Sequence, residues 1–272
     1  MVQRRLVINA DDFGFTRDVN EGIVEAHRHG ILTAATLQAN GAAFDDAARL
    51  ALENPTLDVG CHLTLVHGYS VLDPLRAMPA GVPQLAAMIV RRQIRIYDEL
   101  AAQVRRIVAA GIEPTHLDTH KHTILLPPVR DAVARIAGEF GIPWVRLPFD
   151  PAGGSLAAVP LSRRILSRTL RLLLRGHLKR ALEKMRCRTT DNFIGFQITG
   201  YLVVAELVRL IHDLPAGTTE LMCHPGRCGG ELAQAPTRLK ETRERELVAL
   251  MSIEARDAVR ESGVELVNYR EL

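Results

Sequence analysis

Every second residue titrates in the run Thr115-His116-Leu117-Asp118-Thr119-His120-Lys121-His122. Alternate side chains of a strand share one face, so His116, Asp118, His120 and His122 line up if the strand runs on. Such a row cannot lie against an apolar core without partners. Histidine with aspartate is a donor set for a borderline or hard divalent cation. An exposed His-rich loop is the plainer alternative, and the strict alternation argues against it.

Three other segments carry similar chemistry. Asn9-Ala10-Asp11-Asp12-Phe13-Gly14 closes the first apolar run with adjacent carboxylates, which are costly unless a metal or a cationic side chain compensates them. Alternation sends the two to opposite faces, so they share a site only where the backbone turns, and Gly14 favours a turn. Taken alone, the pair would equally suit a helix N-terminus. Gly60-Cys61-His62-Leu63-Thr64 places Gly60, His62 and Thr64 on one face, opposite apolar Val59, Cys61, Leu63 and Leu65. A single strand histidine is more often a hydrogen-bonded core residue than a ligand. Glu220-Leu221-Met222-Cys223-His224-Pro225-Gly226 carries His224 to a strand end, where it can act as acid, base, ligand or structural group. Weaker candidates, all for substrate contact, are Arg146 beyond Trp144, His122, Arg245 and Phe196. Arg245 lies in a C-terminal helix where pairing with acids is the alternative. Phe196 belongs to the stretch Phe193-Ile194-Gly195-Phe196, either a sugar platform or core.

These residues sit where strands end. Apolar runs at 6–10, 31–37, 57–66, 115–120, 143–147, 220–223 and 264–269 read as strands. Helical periodicity marks 18–29, 44–54, 85–110 and a stretch from Pro127-Pro128 to Gly141. Strands alternating with long helices predict βα units and parallel pairing. Polar groups at the ends of several strands favour a single-domain (β/α) barrel, TIM-barrel-like, over an open doubly wound sheet. The first strand is not followed by a glycine-rich phosphate loop, which weakens a dinucleotide-binding reading. One catalytic domain is expected over 1–272, with a basic helical insertion around 155–200.

The net charge of +3 over 272 residues is too small to imply nucleic-acid binding, but its distribution is uneven. Segment 161–188 holds ten Lys and Arg residues against Glu183 alone. Leu166, Leu170, Leu173, Leu178 and Met185 recur at helical spacing there, as do Arg164, Arg168, Arg171, Arg175 and Lys179, which predicts a basic amphipathic helix. A solvated surface face is its ordinary meaning; contact with a membrane surface or another anionic partner is the functional one. Four cysteines without paired spacing suggest reduced, buried thiols. The opening apolar run is cut short by Asp11 and Asp12, which argues against export and for a cytoplasmic protein. Peripheral contact with the inner membrane and a homodimer are both compatible with this chain.

Taken together, the four segments resemble the YdjC-like family of carbohydrate deacetylases, through Val7-Ile8-Asn9-Ala10-Asp11-Asp12-Phe13-Gly14, Gly60-Cys61-His62-Leu63, Thr115-His116-Leu117-Asp118-Thr119-His120 and Met222-Cys223-His224-Pro225-Gly226. In that family the central run ends in consecutive histidines, and here Lys121 interrupts it. The resemblance implies an irregular barrel related to polysaccharide deacetylases. It implies Asp12, His62 and His120 as ligands of Mg2+ or Zn2+, Asp11 as general base and His224 as general acid. The reaction implied is removal of an N-acetyl group from an N-acetylglucosamine-containing saccharide or glycolipid. His62-Leu63-Thr64-Leu65-Val66-His67-Gly68 is similar to the hopanoid-biosynthesis-associated branch, whose substrate would be a hopanoid glycolipid. The competing readings are a metal-dependent sugar isomerase or phosphohydrolase and a non-catalytic sugar- or lipid-binding protein with a structural metal. Asp11 separates the last of these, since a binding protein has no need of a second carboxylate beside a ligand.

Overall fold

The computed structural model of the chain describes residues 3–151 and 159–272. In chain order its elements are β1 (Arg4–Phe13), α1 (Arg17–His29), β2 (Ala34–Leu37), α2 (Phe44–Glu53), β3 (Asp58–Leu63), α3 (Val82–Val90), α4 (Ile96–Ala109), β4 (His116–Thr119), α5 (Pro127–Phe140), β5 (Trp144–Val145), α6 (Leu161–Lys184), β6 (Asn192–Ile194), α7 (Val204–His212), β7 (Gly217–Cys223), α8 (Gly230–Gln234), α9 (Glu241–Met251), α10 (Ile253–Ser262) and β8 (Glu265–Leu266). The strands form one sheet in the order β5-β4-β3-β2-β1-β7-β6, with β8 beside the start of β1. Every ladder is parallel, as strands returning through helices require. No ladder joins β5 to β6 among the described residues; Trp144 is bridged to Arg188 instead. The expected barrel is therefore an open, half-barrel version.

Alternation along β1 sorts the two sides of the sheet. Leu6, Ile8 and Ala10 join the main core under the helices. Val7 joins Ala34, Trp144, Val267 and Tyr269 in a smaller cluster. Asn9 and Asp11 follow Val7 on that side, so the surroundings turn polar towards the carboxyl ends of the strands. Gly60 on β3 makes room for this layer. A Cβ there would lie 2.4 Å from the His116 carbonyl oxygen and 2.7 Å from its ring.

Two sequence expectations change. The helix predicted over 85–110 is two helices, α3 and α4, separated where Arg92 adopts φ 55°. The strand expected over 115–120 stops at Thr119, because Lys121 and His122 adopt φ 53° and 52° within a 3-10 turn over His120–Leu125. The alternation that was to carry His122 along the row ends there. Of the insertion expected around 155–200, residues 152–158 lie outside the described residues. The remainder forms α6 and β6, and β6 is too short at three residues for a periodic signal. All four cysteines are free, and Cys61, Cys187 and Cys223 are buried.

Candidate metal centre

Adjacent Asp11 and Asp12 reach one site because β1 bulges. Ala10 pairs with Ala35 and Phe13 with Leu37, so two aspartates face the single residue Thr36. The bend is taken by Asp12 itself, at φ 68°, ahead of Gly14 at φ 96°. Aspartate is one of the few non-glycine residues that visit this region, and such strain concentrates at functional sites.

Register assembles the rest. His62 on β3 pairs with Asp118 on β4, and His62 Nδ1 lies 2.6 Å from Asp118 Oδ1. A carboxylate on Nδ1 fixes that nitrogen as the donor and leaves Nε2 as the free lone pair. Leu117 pairs with Val145, which sets Arg146 beside Asp118. Buried Arg146 then grips Asp11 through both terminal nitrogens, at 2.7 and 2.8 Å, with Asp118 at 2.6 Å and Glu220 at 2.7 Å. Arg146, expected to contact sugar, is instead a buried clamp whose donors are taken by three carboxylates. His116 is likewise structural: its Nε2 meets Asn9 Oδ1 at 2.8 Å and its ring stacks on Tyr269 at 4.0 Å.

Asp12, His62 and His120 converge. Asp12 Oδ1 lies 3.3 Å from His62 Nε2 and 3.2 Å from His120 Nδ1, and the two nitrogens are 3.0 Å apart. Ligands at about 2.1 Å from one cation, about 90–110° apart, are separated by about 3.0–3.4 Å. Asp12 Oδ1 is buried and has no hydrogen-bond partner, whereas Oδ2 is taken by Arg243 at 2.5 Å. Within the cluster four buried acids (Asp11, Asp12, Asp118 and Glu220) outnumber the two buried arginines Arg146 and Arg243, a further reason for a cation to bind. The donors thus fit a divalent ion. A second grouping, Asp11, His62 and Asp118, is already satisfied by Arg146 and by the His62–Asp118 bond.

The surrounding charges act in opposite directions. Burial opposes ionisation of Asp11, but Arg146 outweighs it and holds the carboxyl well below the ordinary range. Asp12 behaves alike, with Arg243 as the counter-ion. Burial also opposes charge on His62, but Asp118 overrides it and raises the pKa. His224 lies 4.0 Å from Asp11 Oδ2 through Nε2. Burial pushes it down to about 4. Its backbone N–H donates to Glu246 at 2.5 Å, and burial pushes Glu246 up to about 7.

His122 sits near Phe193 and Phe196, its ring 6.1 and 5.5 Å from theirs. Burial, then Arg146, pushes it down to about 3. Arg245 is exposed on α9, and no hydrogen bond or ion pair ties it to the cluster among the described residues. The arginine that reaches Asp12 is Arg243, two positions earlier. Arg243 and Glu246 share the buried face of α9 with Leu247 and Leu250; charge on an apolar helical stripe is the signal that could have found them. A cavity of about 240 Å³, lined by Ser70, Met78, Met88 and Glu99 among others, shares no residue with the cluster.

Half-buried His122, with its Nδ1 enclosed, and buried His224 are both held neutral, and this has a pH consequence. The unfolded chain takes up protons near the ordinary value of 6.5, while these folded sites refuse them until about 3 and 4. Stability is therefore full above 6.5 and is lost as pH falls towards 4. His224→Gln should flatten that fall by about 1.4 kcal/mol per pH unit. Urea unfolding of both proteins at pH 5 and 7 measures it, and parallel curves would contradict the assignment.

A family model described as YdjC-like protein matches residues 5–261. The chain is 32% identical over 273 residues to a carbohydrate deacetylase of Brevibacillus brevis, covering 98% of this chain and 99% of that one. It is 32% identical over 288 residues to a chitooligosaccharide deacetylase of Klebsiella pneumoniae, covering 100% of both. Its fold is similar to the crystal structure of a proposed cellobiose-phosphate cleavage protein from Enterococcus faecalis V583, with TM-score 0.76 at 24% identity over 99% of this chain and 98% of that one. The chain belongs to the YdjC-like protein family.

Proposed function

We propose that this protein is a divalent-metal-dependent N-deacetylase of N-acetylglucosamine-containing saccharides or glycolipids, hopanoid glycolipids included. The observation that carries the reading is the unpartnered Asp12 Oδ1, facing two imidazole nitrogens with a second carboxylate alongside. The names of the Brevibacillus and Klebsiella relatives support the reaction class. Asp12, His62 and His120 would hold Mg2+ or Zn2+; two nitrogen donors suit zinc better than magnesium. A bound cation would polarise the acetyl carbonyl and make water more acidic.

The chain's own groups handle the protons. Arg146 fixes the plane of the Asp11 carboxylate, which takes a proton from the attacking water. Because Arg146 keeps Asp11 strongly acidic, the proton does not stay there. His224, 4.0 Å away and more basic, receives it and gives it to the departing amine. The new C–O bond forms first, giving a tetrahedral carbon; the C–N bond breaks once the nitrogen has taken the proton, leaving acetate and an amino sugar.

Acetate release from chitobiose in its N-acetylated form and from an N-acetylglucosaminyl lipid tests this. Release should stop with a chelator and return with zinc or magnesium. Chelator-insensitive release, or none from either substrate class, would overturn the reading.

A further inference from the structure

Helix α6 is attached by one face and leaves a second apolar face open. Ser167, Leu178 and Leu182 are buried against the body. On the outer side Leu161 is 67% exposed, Ile165 56%, Leu166 50%, Leu172 83% and Leu173 63%. At 3.6 residues per turn these five fall within an arc of about 140°, and Arg164, Arg168, Arg175 and Lys179 run along one border of it. A surface helix that only meets water turns its charges outward and its aliphatics inward; α6 turns aliphatics both ways.

We propose that this outer face docks on an anionic lipid surface. Segment 161–188 is net +9, so the rest of the chain is net −6 beside a whole-chain charge of +3. That polarity favours an anionic partner. A second copy docking through the same face would bring two arginine stripes together. A nucleic acid would engage the arginines but leave the leucines uncovered, and α6 carries no Phe, Tyr or Trp on which bases could stack. A lipid surface satisfies both features, with aliphatics at the acyl boundary and arginines among the phosphates. No helix of the described residues is long and apolar enough to cross a membrane, so the contact is peripheral.

The inner face of α6 connects this surface to the mouth of the site. Arg163 donates to the carbonyls of Gln197 and Thr199, at 3.2 and 2.8 Å. Buried Asp150 accepts from Ser167 Oγ at 3.3 Å and from the backbone N–H groups of Gly195 and Gln197, at 2.8 and 3.0 Å. Phe196 lies between those two residues, against His122. Docking through α6 therefore holds the Phe196 segment close to the lipid surface.

Co-sedimentation with vesicles of phosphatidylcholine alone, and of phosphatidylcholine mixed with phosphatidylglycerol, tests the proposal. The protein should pellet with the mixed vesicles and stay in solution with the neutral ones. Ile165→Glu/Leu172→Glu and Arg164→Glu/Arg168→Glu should each weaken binding by about tenfold or more. Both variants should keep the parent's thermal unfolding and its acetate release from a soluble saccharide. Failure to pellet, or equal pelleting of all three proteins, would overturn the proposal. So would a dimer in sedimentation velocity that Ile165→Glu/Leu172→Glu dissociates, because a second copy would then own the face. Vesicle binding is read without turnover, so its failure leaves the proposed reaction untouched.

Discussion

Asp11→Asn should retain the cation and lose about 10²–10⁴-fold in acetate release, the range expected when a positioned general base is removed. The asparagine keeps the shape of the side chain and one acceptor for Arg146. Asp12, His62 and His120 keep every proposed donor atom, so cation affinity should match the parent. What disappears is the carboxylate that Arg146 orients and that stands 4.0 Å from His224. Parallel measurement of zinc affinity and acetate release separates the two effects. A variant that loses both in proportion would make Asp11 a ligand; one that keeps full turnover would remove it from the chemistry.

Arg146→Met should cost about 3–5 kcal/mol of stability, the usual consequence of leaving buried charges without their partner. That corresponds to a fall of about 6–20 °C in Tm. The guanidinium is the shared counter-ion of Asp11, Asp118 and Glu220, all buried. Methionine fills much of the volume and supplies none of the charge. Lysine should not rescue, because a single ammonium cannot fork to several carboxylates. Adding Glu220→Gln should recover part of the loss by removing one stranded acid. Thermal unfolding of the single and double variants reads this directly, and an unchanged Tm in Arg146→Met would contradict the network.

The sequence displayed the strand ends better than the contacts made there. Alternation correctly set His62 apart from Val59, Cys61 and Leu63, which join the main core, because a period of two is local and survives any tertiary arrangement. It could not show that Asp12 itself would take a left-handed turn, since the bulge depends on how β1 and β2 are registered. The same limit applies to His122: two left-handed residues redirect the chain, and a pattern argument assumes none. Arg146 was legible as a residue near the mouth but not as a clamp, since Glu220 reaches it from β7, far along the chain. Arg243 was missed in favour of Arg245, although its place on the apolar stripe of α9 was visible in the spacing. The α6 helix was legible as basic and amphipathic; that Leu166 and Leu173 face outward while Leu178 packs inward needed coordinates.

The central claim is that one divalent ion is held between Asp12, His62 and His120. Crystals grown with zinc and measured on both sides of its absorption edge test it directly. The predicted result is one anomalous peak about 2.0–2.2 Å from Asp12 Oδ1, His62 Nε2 and His120 Nδ1. A peak elsewhere, or none at a saturating zinc concentration, would contradict it.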